Sequence, residues 1–351
     1  MLKIGILLGD DIGLEVVPEA VKVMKAAAAK TGLQIDWQEL PIGKRGHELH
    51  GHTLPQVTVD ALAKKDGWIC GPIGHNAYPR NDPTWVMPPL RKRFELFANV
   101  KPVKSYPNIP SVHKDVDIVF LRETTEGMMS SSVVLAGSGE FQPNDEIAIG
   151  MRVVTRKGAS RVAREAFEIA RTRSRKIVTA LHKEPTYRLV CGMFARECRK
   201  VAAEYPDVHF NEVLIDGFAL KLVMKPQQYD VVVTTNQFGD IVTDEGAGLV
   251  GGLGLAPGLV VGETQAMAQA THGSAPDIAG RNIANPYAMI MSGKMLIEWL
   301  GRKRNEPRAT EAARRIDAAM DKTIAEAKHL TADLGGKAST QEMGDAVAAA
   351  V

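Results

Sequence analysis

Short apolar runs alternate with helix-patterned segments along most of this chain, and that alternation restricts the fold more than any other feature. KIGILL (3–8), IDWQEL, WICGPI, VDIVFL (116–121), RKIVTAL (175–181), VHFNEVLI (208–215) and YDVVVTT (229–235) read as strands. Between them, Glu15 to Lys30, a stretch near 55–65, Ala159 to Arg171 and Arg188 to Ala203 read as helices, and the chain turns mostly helical after Pro286. Such an order predicts a doubly wound α/β protein with largely parallel strands. Residues 130–155 interrupt it with β-like runs around a Gly/Pro/Asn turn, which predicts a hairpin: either an arm for oligomer contacts or an ordinary edge hairpin.

At roughly 150 residues per domain, 351 residues imply two domains or one large α/β unit. The net charge of +2 is spread without a basic stripe, which argues against nucleic acid or an acidic membrane as partner. No apolar stretch reaches the roughly 18 residues of a membrane span. MLKIGILLGDD reads as a first strand rather than a signal peptide. Cys70, Cys191 and Cys198 form no CxxC pair, so buried free thiols in a reducing cytoplasm are expected.

GAGLVG (246–251) matches the dinucleotide fingerprint G-x-G-x-x-G, but it neither joins a strand directly to a helix nor has an acid about 20 residues on. Tight helix packing is the better account. Just before it, Asp240 and Asp244 fall one turn apart on a helix. An oxygen-only pair suits Mg²⁺ or Mn²⁺, while a solvated acidic helix start explains it equally well. ATHGSAPDIAGRNIANP (270–286) is a shaped loop whose amides around Gly273 to Ala275 could take a phosphate and whose Asp277 could take a ribose hydroxyl. LRETTEG (121–127) holds a buried-looking Arg122, and PLRKRFELFANVKP (89–102) offers Arg91, Arg93 and Lys101; such cations suit a di- or tricarboxylate.

In this order, GDDIGLEV, LRKRFELFANVKP, LRETTEG, LHKEP, FGDIVTDEGAG and HGSAPDIAGRNIANP resemble the metal-dependent β-decarboxylating dehydrogenases, the isocitrate and 3-isopropylmalate dehydrogenase family. The likeness extends to DLGGKAST (333–340). It implies a two-domain, isopropylmalate-dehydrogenase-like α/β fold without the Rossmann fingerprint. The cofactor-binding domain would be 1–99 plus 249–351. The substrate, metal and dimerisation domain would be 100–248, with a protruding arm at about 130–155 and active sites shared across a homodimer.

The resemblance further implies a 2-hydroxy acid substrate, NAD⁺ as hydride acceptor, and Mg²⁺ or Mn²⁺ polarising the ketone so that CO₂ departs. Asp240, Asp244 and the partner subunit's Asp216 match the metal aspartates. Lys183, also used across the dimer, matches the lysine that deprotonates the hydroxyl; with Asp216 it makes the catalytic pair. Arg91, Lys101 and Arg122 match the carboxylate clamps. Ile12, His272, Gly273, Ser274, Ala275, Asp277, Ile278 and Asn285 match the cofactor loop. NADP-using members tend to have Lys-Tyr where this chain has Asp277–Ile278, so NAD⁺ is expected.

Several positions depart from the family pattern. Met129 stands where a proton-donating tyrosine is usual, Lys101 where a third arginine is, and Glu184–Pro185 where Ala-Asn is. Asp11, Leu14 and Gln269 are further substitutions. Isocitrate enzymes place Ser and Asn where this chain has Trp85 and Met87, so an isopropylmalate-like C3 substituent is favoured, D-malate or tartrate next, and isocitrate disfavoured. Trp85 could equally be a packing residue. The competing expectation is a catalytically weak regulatory or binding paralogue.

Overall fold

The structure, a computed structural model, describes residues 1–74, 86–130, 134–135 and 139–351. The chain forms two compact units, Met1–Val86 with Tyr106–Val112 and Gly251–Val351, and Met87–Ser105 with His113–Val250.

In the first unit, β1 (Leu2–Leu7) pairs in parallel with β2 (Ile35–Glu39) and β3 (Gly67–Cys70). The strand order is β2-β1-β3-β12-β11, with β11 (Leu259–Val261) and β12 (Ala266–Ala268) closing it. Buried on both faces, β3 and β12 read as continuous apolar runs, as central parallel strands do. The helices are α1 (Gly13–Thr31), α2 (Gly43–His50), α3 (Gln56–Leu62), α9 (Tyr287–Arg304), α10 (Pro307–Glu326) and α11 (Thr340–Ala350). A Ser339–Glu342 capping box starts α11, and α1 ends on Gly32 at φ 69°, a left-handed cap that glycine adopts without strain.

The second unit carries the order β4-β5-β10-β8-β9: β4 (Ala98–Lys104), β5 (Asp117–Glu123), β8 (Ile177–His182), β9 (His209–Leu214) and β10 (Val231–Thr234). Apart from antiparallel β4–β5, its pairs are parallel. Alternation along β5 sends Ile118 and Phe120 to one face, where they share a core with Phe218 and Leu222 of α7 (Ile215–Met224) and Val242 and Leu249 of α8 (Asn236–Val250). On α5 (Arg156–Arg171), Val162, Ala163 and Phe167 are buried, and Cys191, Phe194 and Cys198 are buried on α6 (Val190–Ala202). The remaining elements are the short helix α4 (Met87–Arg93) and an antiparallel hairpin of β6 (Glu140–Asn144) and β7 (Ile147–Gly150), exposed throughout.

The division departs from the expected boundaries at 99/100 and 248/249. Residues 87–99 belong to the second unit because β4 pairs with β5 from Ala98↔Glu123 to Lys104↔Asp117. Residues 106–112 belong to the first, where the Tyr106 and Tyr287 hydroxyls lie 2.8 Å apart and Asn108 donates to the Ile324 carbonyl.

Candidate functional site

The cationic part of the site grows out of the β4–β5 pairing. Asn99 faces Arg122 and Lys101 faces Phe120 in the register, so Lys101, Arg122 and Phe120 share one side of the sheet. Helix α8 covers that side with a stripe at helical spacing: Gly239, Thr243 and Gly246. A β-carbon at Gly239 would come within 2.6 Å of the Arg122 side chain, and one at Gly246 within 2.9 Å of the Phe120 ring. The fingerprint-like GAGLVG is therefore the last turn of α8 and the glycine that follows it, its first glycine giving close helix–sheet packing, and no strand-to-helix phosphate turn.

Arg122 is buried, and α8 fixes its guanidinium. Its Nε and Nη2 donate to Asn236 Oδ1 at 3.0 and 2.7 Å, its Nη1 pairs with Asp240, and its Nη2 lies 3.5 Å from Met129 Sδ. Asn236 is held in turn by the Glu126 carbonyl and Ser130. Lys101 donates to Thr243 Oγ1 at 2.9 Å and lies 3.7 Å from Asp244. Burial, with the neighbouring Arg122 cation, lowers Lys101 to about 8; Arg91, in the last turn of α4, adds to that lowering. Arg91, Lys101 and Arg122 thus gather where Asp240 and Asp244 lie one turn apart on α8. Met87 opens α4 one turn before Arg91. Trp85 lies outside the described residues.

Lys183 follows β8 immediately, and its Nζ donates to Asp216 Oδ1 at 2.5 Å in the first turn of α7. That hydrogen bond holds the Asp216 carboxyl below its ordinary range. Asp216, Asp240 and Asp244 do not form a three-ligand cluster within one chain. Among the described residues, the one group of three metal-capable side chains with ligand atoms within 4.8 Å is His182, Glu184 and Glu212.

The first unit carries the loop 270–286. Ile12 N–H donates to the Ser274 carbonyl at 3.1 Å, Glu15 accepts from Gly280 N–H, and Thr340 N–H bonds Asn282 O, so α1 and α11 shape the loop. Ala275 adopts φ 44°, and Ile278 N–H closes a turn on its carbonyl at 3.2 Å. Asn285 is tied to Asp333 and to the Tyr287 amide. His272 Nδ1 lies 3.0 Å from the Gly273 carbonyl. Its Nε2 is buried without a hydrogen-bond partner, and burial lowers its pKa. Asp277 is exposed, and a β-carbon at Gly273 would meet nothing within 4 Å. An orphaned ring nitrogen, open backbone at Gly273 and a free-standing carboxylate fit a nucleotide's donors and acceptors. Asp11 sits at φ 50°, a region asparagine and aspartate tolerate better than most residues.

Sequence reasoning missed Asn236, Gly239 and Thr243, which orient Arg122 and Lys101. Their signal was present: on a helix, 236, 240, 243 and 244 lie on one face of NQFGDIVTDEGAG.

A family profile described as isocitrate/isopropylmalate dehydrogenase matches residues 3–347. The chain is 40% identical over 348 residues to a 3-isopropylmalate dehydrogenase of Archaeoglobus fulgidus, covering 99% of both chains. It is 37% identical to an isocitrate/homoisocitrate dehydrogenase of Thermus thermophilus, over 99% of this chain and 98% of the relative. The crystal structure of isocitrate dehydrogenase from Methylococcus capsulatus superposes with a TM-score of 0.87 at 38% identity, covering 100% of this chain and 99% of that one.

Proposed function

Because the chain belongs to the isocitrate/isopropylmalate dehydrogenase family, we propose that it oxidatively decarboxylates a 3-substituted (R)-malate, 3-isopropylmalate in kind, with NAD⁺ and Mg²⁺ or Mn²⁺. The observation that carries the substrate choice is Met87 on α4. It stands one helical turn before the clamp Arg91, so an apolar side chain lies on the clamp's own helix face. A thioether offers nothing to the extra carboxylate of isocitrate and matches an alkyl group.

In this reading Arg91, Lys101 and Arg122 bind the malate carboxylates, with Asn236 and Thr243 fixing the last two. Asp240 and Asp244, with the partner subunit's Asp216, hold the cation as an oxygen-only set. When bound, the cation supplies Lewis-acid polarisation and NAD⁺ accepts a hydride. Lys183 takes the proton of the substrate hydroxyl. Asp277 binds the ribose 2′-hydroxyl and repels a 2′-phosphate, and His272 to Ala275, Ile278, Ile12 and Asn285 surround the adenosine.

A homodimer is supported by apolar side chains left in solvent beside the acidic residues: Leu220, Val223 and Met224 on α7, and Ile241 on α8 next to Asp240. On the hairpin, Phe141, Ile147 and Ile149 are likewise exposed. Three buried cysteines outside any disulfide suit a reducing cytoplasm, and no helix among the described residues is long and apolar enough to cross a membrane.

One observation favours the second reading, a catalytically weak paralogue: a thioether, which has no proton to give, lies against Arg122. Both readings meet in one assay. NADH formation across 3-isopropylmalate, D-malate, tartrate and isocitrate, abolished by chelator, supports the enzyme; silence with retained NAD⁺ binding, together with a gain in turnover on Met129→Tyr, supports the paralogue.

A further inference from the structure

The chain leaves Lys183 through Glu184–Pro185. Proline fixes its own φ and restricts the residue before it, and the Lys183 carbonyl accepts from Thr186 N–H at 3.1 Å and Tyr187 N–H at 2.9 Å. Around this turn four residues close a ring of contacts. Glu184 N–H donates to His182 Nδ1 at 3.1 Å. His182 Nε2 faces Glu212 Oε1 at 3.0 Å, an ion-pair distance whose angles make no hydrogen bond. Glu212 Oε2 accepts from Arg199 Nε at 2.9 Å, and Arg199 Nη2 returns to Glu184 Oε2 at 2.6 Å.

The same side chains are the metal-capable trio, but the ring argues against a cation there. Coordination at Nε2 would strip the imidazole of both protons while Nδ1 accepts the Glu184 amide, and Arg199 already occupies one oxygen of each carboxylate.

We propose that the Glu184–His182–Glu212–Arg199 ring is a positioning device for Lys183. It clamps three elements together: the exit of β8, which presents Lys183; strand β9, which runs on into α7 and Asp216; and α6, which contributes Arg199. Both members of the Lys183–Asp216 pair are therefore set by one closed network. Arg199 is the member that closes it, because only a guanidinium fork reaches two carboxylates from one side chain. The proposal rests on Lys183 being the proton-transferring lysine.

The test uses the full chain with Mn²⁺ and NAD⁺, and 3-isopropylmalate as probe. Arg199→Met opens the ring, and Arg199→Lys keeps the charge but spans only one carboxylate. Arg164→Met is the control, since it removes a two-point pair from Arg164 on α5 to Glu204, outside the ring. Two readouts are taken: kcat against KM, and the rate at which acetic anhydride acetylates Lys183 relative to the other lysines, by mass spectrometry. Arg199→Met is expected to lower kcat about tenfold or more with KM unchanged and to shift Lys183 acetylation, Arg199→Lys to fall between, and Arg164→Met to do neither. Wild-type kcat and labelling in Arg199→Met, or equal losses in Arg164→Met, overturn the proposal. Should Arg199→Met fail to fold, Arg199→Lys decides alone. If the wild type forms no NADH, the functional reading has failed, and the acetylation comparison still judges the ring.

Discussion

Lys183 Nζ lies 2.5 Å from Asp216 Oδ1, joining the residue just after β8 to the first turn of α7. Replacing the amine removes the group assigned to the substrate proton. Lys183→Met is expected to lower kcat by about 10²–10⁴-fold while leaving NAD⁺ affinity, read by calorimetry, unchanged. Asp216→Asn, by contrast, is expected to raise the Mn²⁺ concentration needed for half-maximal rate.

Gly239 carries a prediction about packing. Its α-carbon faces Arg122 so closely that a methyl group would overlap the side chain. Gly239→Ala is expected to cost about 1–3 kcal/mol in denaturant unfolding and to raise KM through a displaced clamp. Gly248→Ala on the same helix has open space at its β-carbon and serves as the control.

Lys101 links the clamp to pH. Burial and Arg122 bring it to about 8, so the free enzyme loses this cation as pH rises through that value. The profile of kcat/KM is expected to fall above pH about 8. In Lys101→Arg the fall moves out of the measurable range, because a guanidinium stays charged. An unchanged profile in the variant assigns the fall to another group.

Glu126 makes stability pH-dependent. Burial, with Glu123 beside it, raises Glu126 to about 7, although Thr155 donates to it from both its amide and its hydroxyl. A carboxyl whose folded pKa is raised binds its proton more tightly in the folded chain. Its stabilising contribution is therefore present below about pH 4.5 and lost as pH rises through about 7. Urea unfolding at pH 5.5 and 8 is expected to show wild type losing about 2 kcal/mol from this group between the two, a loss that Glu126→Gln removes.

The alternation of apolar runs was enough to read the parallel strands and long helices, because central strands buried on both faces and amphipathic helices leave strong periodic signals. Strand β4 escaped because ANVKPVK mixes cations and a proline into a strand that lies antiparallel to β5; its lysine and arginine neighbours drew attention as clamps instead. Strands β11 and β12 are three residues each, too short for any period. In the site, Arg122 and the aspartate pair were legible from charge and spacing. Asn236 and Thr243 were not singled out, since an uncharged polar residue becomes distinctive only once a buried cation is seen beside it.

The central claim is tested most directly by following NADH at 340 nm with enzyme, Mn²⁺, NAD⁺ and 3-isopropylmalate. The account predicts NADH formation that chelator abolishes, that NADP⁺ does not support, and that isocitrate does not match. Turnover of isocitrate above 3-isopropylmalate, equal rates with NADP⁺, or activity that survives the chelator would contradict it.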